Sequence, residues 1–206
     1  ETQTANVLAL YLNLTDNRER EAEKLVKLIE ECGHLKTGFV GTPYLLHVLQ
    51  DIGRVDLAYK LLLKDTFPSW LYSVKMGATT MWERWDGMKE DRSFATPEMN
   101  SFNHYAFGAV GDWLYSTVAG IRPDENEPGY KHIIFEPIPN KELGYAKARI
   151  LTPNGEIISS WEFKGDTNLC EFSFTIPDGS YATLYLDNEE YEFVSGTYTT
   201  EFEYNS

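Results

Sequence analysis

The apolar positions of this 206-residue chain change their period once. Up to about residue 120 they recur every three or four residues, the spacing of helices with a buried stripe. Ala22, Leu25, Val26 and Ile29 form one such stripe. It follows Asp16 and Glu19, a capping residue with a glutamate three positions on, and stops before Gly33. Thr42-Pro43 marks a second start, since proline fits a first turn whose N–H groups have no partner within the helix. The run Tyr44–Leu49 is apolar on more than one side, as in a helix held between neighbours. A third helix over about Val55–Leu63 follows Gly53 almost without a loop, giving a helical hairpin. The last stripe joins Phe102, Tyr105, Ala106, Ala109, Val110, Trp113, Leu114 and Thr117. Gly108 and Gly111 within it each forfeit up to ~1 kcal/mol of helix propensity, so another backbone is expected to pack close there.

From about Lys131 the period becomes two. Strands are predicted over His132–Glu136, Tyr145–Leu151, Glu156–Phe163, Leu169–Ile176, Tyr181–Leu186, Glu190–Val194 and Tyr198–Tyr204. Turn residues such as Pro153-Asn154-Gly155 and Pro177-Asp178-Gly179 separate them. Short strands at this spacing predict an antiparallel β-sandwich. The fold class is then α+β by composition, with helical residues 1–121, a proline- and acid-rich linker over 122–129, and a β domain over 130–206. Successive helical hairpins suit a solenoid or an α/α barrel, and the lack of a fixed repeat weakens the solenoid.

Charge narrows the partners. The net charge of −14 repels phosphate backbones and anionic membrane surfaces, so neither nucleic acid nor membrane insertion is expected. No apolar run approaches the ~20 residues of a membrane-spanning helix. The chain opens Glu1-Thr2-Gln3-Thr4, with neither an initiator Met nor a leader pattern, and reads as part of a longer protein. Cys32 and Cys170 fall in unrelated contexts and are expected to be buried free thiols. His34 ends a helix, His47 sits on a buried one and His132 opens a strand, so no metal and no cofactor is indicated. The 14% aromatic content fits rings stacking on sugars and fits an ordinary core equally well.

The chemically suggestive stretch is Gly77–Gly87, a poorly patterned loop that includes Trp82-Glu83-Arg84-Trp85. Glu83 could activate water as a general base while the indoles stack on substrate and exclude solvent. It could equally form a surface ion pair with Arg84, with the tryptophans in the core. The residues alone leave both open.

Three segments, in this order, resemble the α-L-rhamnosidases of glycoside hydrolase family 78. They are Thr37-Gly38-Phe39-Val40-Gly41-Thr42-Pro43-Tyr44-Leu45-Leu46, then Ala78-Thr79-Thr80-Met81-Trp82-Glu83-Arg84-Trp85-Asp86-Gly87, then Ser101-Phe102-Asn103-His104-Tyr105-Ala106-Phe107-Gly108-Ala109-Val110. The likeness continues through Gly120-Ile121-Arg122-Pro123 into Thr152-Pro153-Asn154-Gly155 and Ser160-Trp161. The resemblance implies the second half of an (α/α)6 catalytic barrel followed by a β-sandwich. It implies that Glu83 is the general base of an inverting hydrolysis that removes terminal α-L-rhamnosyl residues from a glycan or glycoside. It places His104 in the sugar pocket, with Trp82 and Trp85 as candidate pocket walls. Inversion needs two carboxyl groups ~6.5–9.5 Å apart, with a water between them. The family's general acid lies on an earlier stretch of the barrel, so the isolated fragment is expected to be inactive. A truncated barrel also exposes apolar helix faces, for which self-association is expected.

Three other readings compete. Another α/α-barrel sugar enzyme, such as a glycoside phosphorylase or an unsaturated-glycuronide hydrolase, has the same helical layout, though a phosphorylase needs a phosphate pocket that the sequence does not offer. A carbohydrate-binding module would need an aromatic platform outside the alternating core positions of the β half. A purely structural β-sandwich needs no site at all.

Overall fold

The computed structural model describes residues 2–204, in two compact units, one up to Val110 and one from Gly111 onward. In the first unit, α1 (Gln3–Tyr11) starts at Thr2, whose hydroxyl accepts the Ala5 N–H. The cap of α2 (Arg18–Cys32) is Asn17 rather than Asp16, because the Asn17 side chain accepts the Arg20 N–H. Gly33 ends that helix at φ 68°, a left-handed geometry that suits glycine. In α3 (Thr42–Asp51) the cap position is Gly41, and the Thr42 hydroxyl bonds Thr37 instead, at 2.8 Å. α4 (Val55–Leu62) completes the hairpin, and α5 (Trp70–Lys75) is capped by Ser69. α1 packs on α2 and α3, and α3 on α4, around Val7, Leu10, Leu25, Ile29, Leu45, Leu49 and Leu61.

The last helical stretch begins at Ala106, not Phe102. It runs as a 3₁₀ turn (Ala106–Ala109), α6 (Val110–Trp113) and a π turn (Leu114–Val118). Residues 101–104 cannot join it, since the carbonyl of Ser101 and the N–H of His104 are bonded to the loop at Met81–Glu83. The π turn has its own cause. The Ser116 hydroxyl takes the Asp112 carbonyl at 2.7 Å, and the Ala119 N–H reaches back to Leu114. Among the described residues the close backbone expected at Gly108 and Gly111 is absent: a Cβ on Gly108 would touch only the Met81 side chain at 3.8 Å, and one on Gly111 would meet nothing within 4 Å. The close approach in this region is at Gly120.

The second unit holds two four-stranded sheets. One runs β1 (Ile121–Pro123), β2 (His132–Phe135), β6 (Tyr181–Leu186) and β7 (Glu189–Phe193); the other runs β3 (Tyr145–Thr152), β4 (Gly155–Phe163), β5 (Leu169–Ile176) and β8 (Gly196–Glu203). β1 straddles the boundary expected between the helical part, ending at 121, and the linker starting at 122. The sheets are antiparallel except at one ladder, where β2 pairs in parallel with β6. The chain leaves β2 for the other sheet and returns to lie beside it, so no hairpin joins the two strands. Ile133, Phe135, Ile157, Trp161, Phe172, Phe174 and Leu184 fill the core. The Trp161 indole N–H donates to the Val118 carbonyl at 2.6 Å, and the Ser159 hydroxyl to Ala119 at 2.5 Å.

Both thiols are free. Cys170 is buried, which pushes it up to about 11, whereas Cys32 is only half-buried and donates to the His34 carbonyl at 2.9 Å. Among the described residues no helix is long and apolar enough to cross a membrane, and no cluster of metal-binding side chains forms.

Candidate active site

Residues 77–105 are almost wholly irregular, with one isolated bridge between Met88 and Phe94. Their order comes from hydrogen bonds between the two ends of the stretch. The His104 N–H donates to Met81 at 2.8 Å, the Glu83 N–H to the Ser101 carbonyl at 2.9 Å, and the Thr80 hydroxyl to the Phe102 carbonyl. The Ser101 N–H returns to Glu83 and donates to Oε2 at 2.7 Å. One carboxylate oxygen of Glu83 is therefore held by the backbone. The other takes no hydrogen bond from the described residues.

Arg84 does not pair with Glu83. Its guanidinium fork closes on Asp86, Nε to Oδ1 at 2.9 Å and a terminal nitrogen to Oδ2 at 3.1 Å. This bidentate pair holds the Asp86 carboxyl below its ordinary range and raises Arg84. The Glu83 side chain is half-buried and faces a cleft of about 610 Å³. Residues 34–39, Phe67, Pro68, residues 83–86 and Phe107 line that cleft. A second cleft of about 520 Å³ shares Phe67 and Asp86 with it and is flanked by Lys89, Glu90 and Asp91.

Its walls are aromatic. The Trp85 ring stacks on Phe107 with centroids 3.8 Å apart and meets Trp70 edge-on at 5.4 Å. Its indole N–H donates to Thr37 at 3.1 Å, while the Trp70 indole donates to Phe107 at 2.9 Å. Trp82 is placed differently. It is 4% exposed, lies edge-on to Phe102 at 5.1 Å and does not line the cleft. His104 stacks on Phe39, a cleft residue, with centroids 4.8 Å apart. Its Nδ1 accepts the Ala106 N–H at 3.2 Å, which leaves Nε2 to carry the proton of the neutral ring.

Of the four site residues expected from sequence, Glu83 and Trp85 share one wall. His104 reaches the cleft through Phe39, and Trp82 lies behind it. Phe39 and Asn100 escaped the sequence reading. Phe39 lies in the quoted Thr37–Leu46 segment, while Asn100 directly precedes the Ser101–Val110 segment, and neither has a pattern that announces a contact.

The bacterial α-L-rhamnosidase 6-hairpin glycosidase domain model matches residues 1–118, and the bacterial α-L-rhamnosidase C-terminal domain model matches residues 120–201. An α-L-rhamnosidase of Formosa agariphila is 43% identical over 201 residues, covering 92% of this chain and 22% of that protein. One from Streptomyces avermitilis is 42% identical over 203 residues, covering 97% and 19%. Among solved structures, the Streptomyces avermitilis α-L-rhamnosidase complexed with L-rhamnose superposes with TM-score 0.88 at 38% identity, covering 97% of this chain and 21% of that one. The native Aspergillus terreus enzyme gives TM-score 0.90 at 36% identity, covering 97% and 24%. The chain thus spans about a fifth of the length of these relatives. With both of its parts matched by domains of one family, the chain belongs to the bacterial α-L-rhamnosidase family.

Proposed function

We propose that this chain is the C-terminal portion of an α-L-rhamnosidase and supplies the general base for inverting removal of terminal α-L-rhamnosyl residues from a glycan or glycoside. The helical residues up to Val118 belong to a helical-hairpin barrel, the chain enters the β domain at β1, and the general acid belongs to a part of the protein outside this chain. The relatives named as α-L-rhamnosidases, one of them complexed with L-rhamnose, support the substrate class.

The observation that carries the reading is the state of Glu83. One carboxylate oxygen is fixed by the Ser101 N–H, the neighbouring cation is occupied by Asp86, and the side chain faces an aromatic cleft. A base so held can keep one oxygen on a water while the backbone sets its direction. Trp85 offers a stacking surface for a sugar face, and Trp82 supports the loop from behind. His104, with a proton on Nε2, can donate to a sugar hydroxyl.

In the full-length protein, Glu83→Gln keeps the size and the Ser101 contact but removes the basic oxygen. It is expected to lower kcat by ~10²–10⁴-fold on an aryl α-L-rhamnoside, with much less effect on KM. NMR of the first-formed sugar should show the inverted anomer in the parent enzyme. A near-normal kcat in the folded variant, or retention of configuration, ends the assignment.

A further inference from the structure

We infer that Asn100 is a positioning residue for Glu83, acting through the turn that ends at Gly87; the inference rests on Glu83 being the base. Beside the Arg84–Asp86 side-chain pair, the turn's own backbone closes by one Gly87 N–H to Arg84 carbonyl bond at 3.2 Å. Its far end is held from outside: the Asn100 side-chain amide donates to the Gly87 carbonyl at 2.8 Å. Its near end is held by the next residue: the Ser101 carbonyl accepts the Glu83 N–H, and the Ser101 N–H donates to Glu83 Oε2. Two consecutive residues therefore clamp both ends of the Glu83–Gly87 turn, and only the Asn100 contact is made by a side chain.

The clamp has no slack. A Cβ on Gly87 would lie 3.0 Å from Asn100 Oδ1, 3.2 Å from the Trp82 ring and 3.4 Å from the Arg84 carbonyl. The buried Oδ1 itself has no hydrogen-bond partner among the described residues. A buried carbonyl left unpaired is unfavourable, so stability alone does not favour an amide here. What it adds is a donor aimed at Gly87. Losing it frees the far end of the turn and lets the Glu83 carboxylate drift, and misplacement by ~1 Å can lower rate by ~10²-fold.

The test is a mutant cycle in the full-length protein, with thermal melting to confirm folding. Asn100→Ala is expected to lower kcat on an aryl α-L-rhamnoside by ~10–10²-fold with KM nearly unchanged. Asn100→Asp keeps the shape but loses the donor and should do the same. Gly87→Ala, which presses on Asn100, should reproduce the loss and stands in should Asn100→Ala fail to fold. Adding Asn100→Ala to Glu83→Gln should cost little more than Glu83→Gln alone, since the two act as one unit. Normal kcat in folded Asn100→Asp overturns the positioning role, as does full additivity in the double variant, and both leave the base reading standing. Unchanged kcat in Glu83→Gln overturns the base itself, and the inference with it.

Discussion

Trp85 in the helical unit and Trp161 in the β unit make the same bond in opposite settings. Each donates its indole N–H to a backbone carbonyl, Thr37 at 3.1 Å and Val118 at 2.6 Å. Trp161 is 2% exposed, and with the Ser159 hydroxyl it ties the Val118–Ala119 corner to β4. Trp85 is half-buried, and its ring forms part of a cleft wall. In the β unit a buried polar group completes the frame. In the helical unit the same kind of bond aims a ring whose remaining surface is free for a ligand. Hydrogen bonding alone therefore does not tell a core tryptophan from a cleft-lining one; what lies on the ring's open side does.

The largest test of this contrast uses two glycines of equal φ. Gly120 and Gly33 both sit at φ 68°, but a Cβ on Gly120 would lie 2.1 Å from the Pro137 nitrogen, while one on Gly33 would meet nothing. Gly120→Ala combines left-handed strain with a backbone clash and is expected to destabilise by about 2–5 kcal/mol. Gly33→Ala has the strain alone, about 1 kcal/mol. Thermal unfolding measures both. Equal losses would show that the β unit yields at Gly120 and that its frame is looser than its packing implies.

The tryptophans come next in size. Trp161→Phe leaves the Val118 carbonyl unpaired in a core and is expected to destabilise by about 1–3 kcal/mol, with activity per folded molecule unchanged. Trp85→Phe should cost less stability, since water can reach a half-buried site, but in the full-length protein, on the proposed function, it should raise KM for a rhamnoside. The comparison breaks if Trp85→Phe changes stability alone, or if Trp161→Phe changes KM.

Legibility in sequence divides along the same line. Strict alternation let β5 be placed to the residue, because a sheet with one buried face forces that pattern, while β6, buried at Ala182, Thr183 and Leu184 in a row, was bounded by its turn residues instead. The three residues of β1 are too few to show a period, and α1, with Gln3 and Asn6 among its buried residues, has a weak stripe. Parallel pairing of β2 with β6 was invisible, since alternation says which face is buried and not which strand is adjacent. Phe102 and Tyr105 kept helical spacing, yet loop hydrogen bonds claimed the backbone before Ala106. Around the cleft, periodicity says nothing. Glu83 stood out as a carboxylate between two tryptophans but was tied to a role, like His104, only through motif order, and nothing in sequence distinguishes the buried Trp82 from the cleft-facing Trp85. The Asn100–Gly87 contact spans thirteen residues of irregular chain, where no repeat exists to reveal it.

The smallest expected effect concerns a polar cluster of the β unit, and it appears only on acidification. Asp124 Oδ2 bonds His132 Nδ1 at 2.8 Å, and Oδ1 accepts the Asn126 N–H at 2.8 Å. The other His132 nitrogen bonds the Thr183 hydroxyl at 2.8 Å, and the ring stacks on Tyr181 with centroids 4.4 Å apart. The hydrogen bond from His132, followed by that from Asn126, holds the Asp124 carboxyl below the usual carboxylate range. A carboxyl lowered by folding contributes stability above its unfolded value of about 3.9, and loses it as pH falls through that value toward the folded one. Asp124→Asn removes the titration while keeping the side chain's shape. Urea midpoints measured from about pH 7 down to about pH 2.5 should therefore fall more steeply in the parent below about pH 4, so that the two curves converge. In the helical unit Asp86 is held low in the same direction by Arg84, so Asp86→Asn should flatten the same acid limb. The two variants should part in activity: Asp86 lines the cleft beside Glu83, so only its replacement should alter rhamnoside turnover at neutral pH. Parallel pH curves for the parent and Asp124→Asn would mean that the His132 contact adds no stability to the folded state.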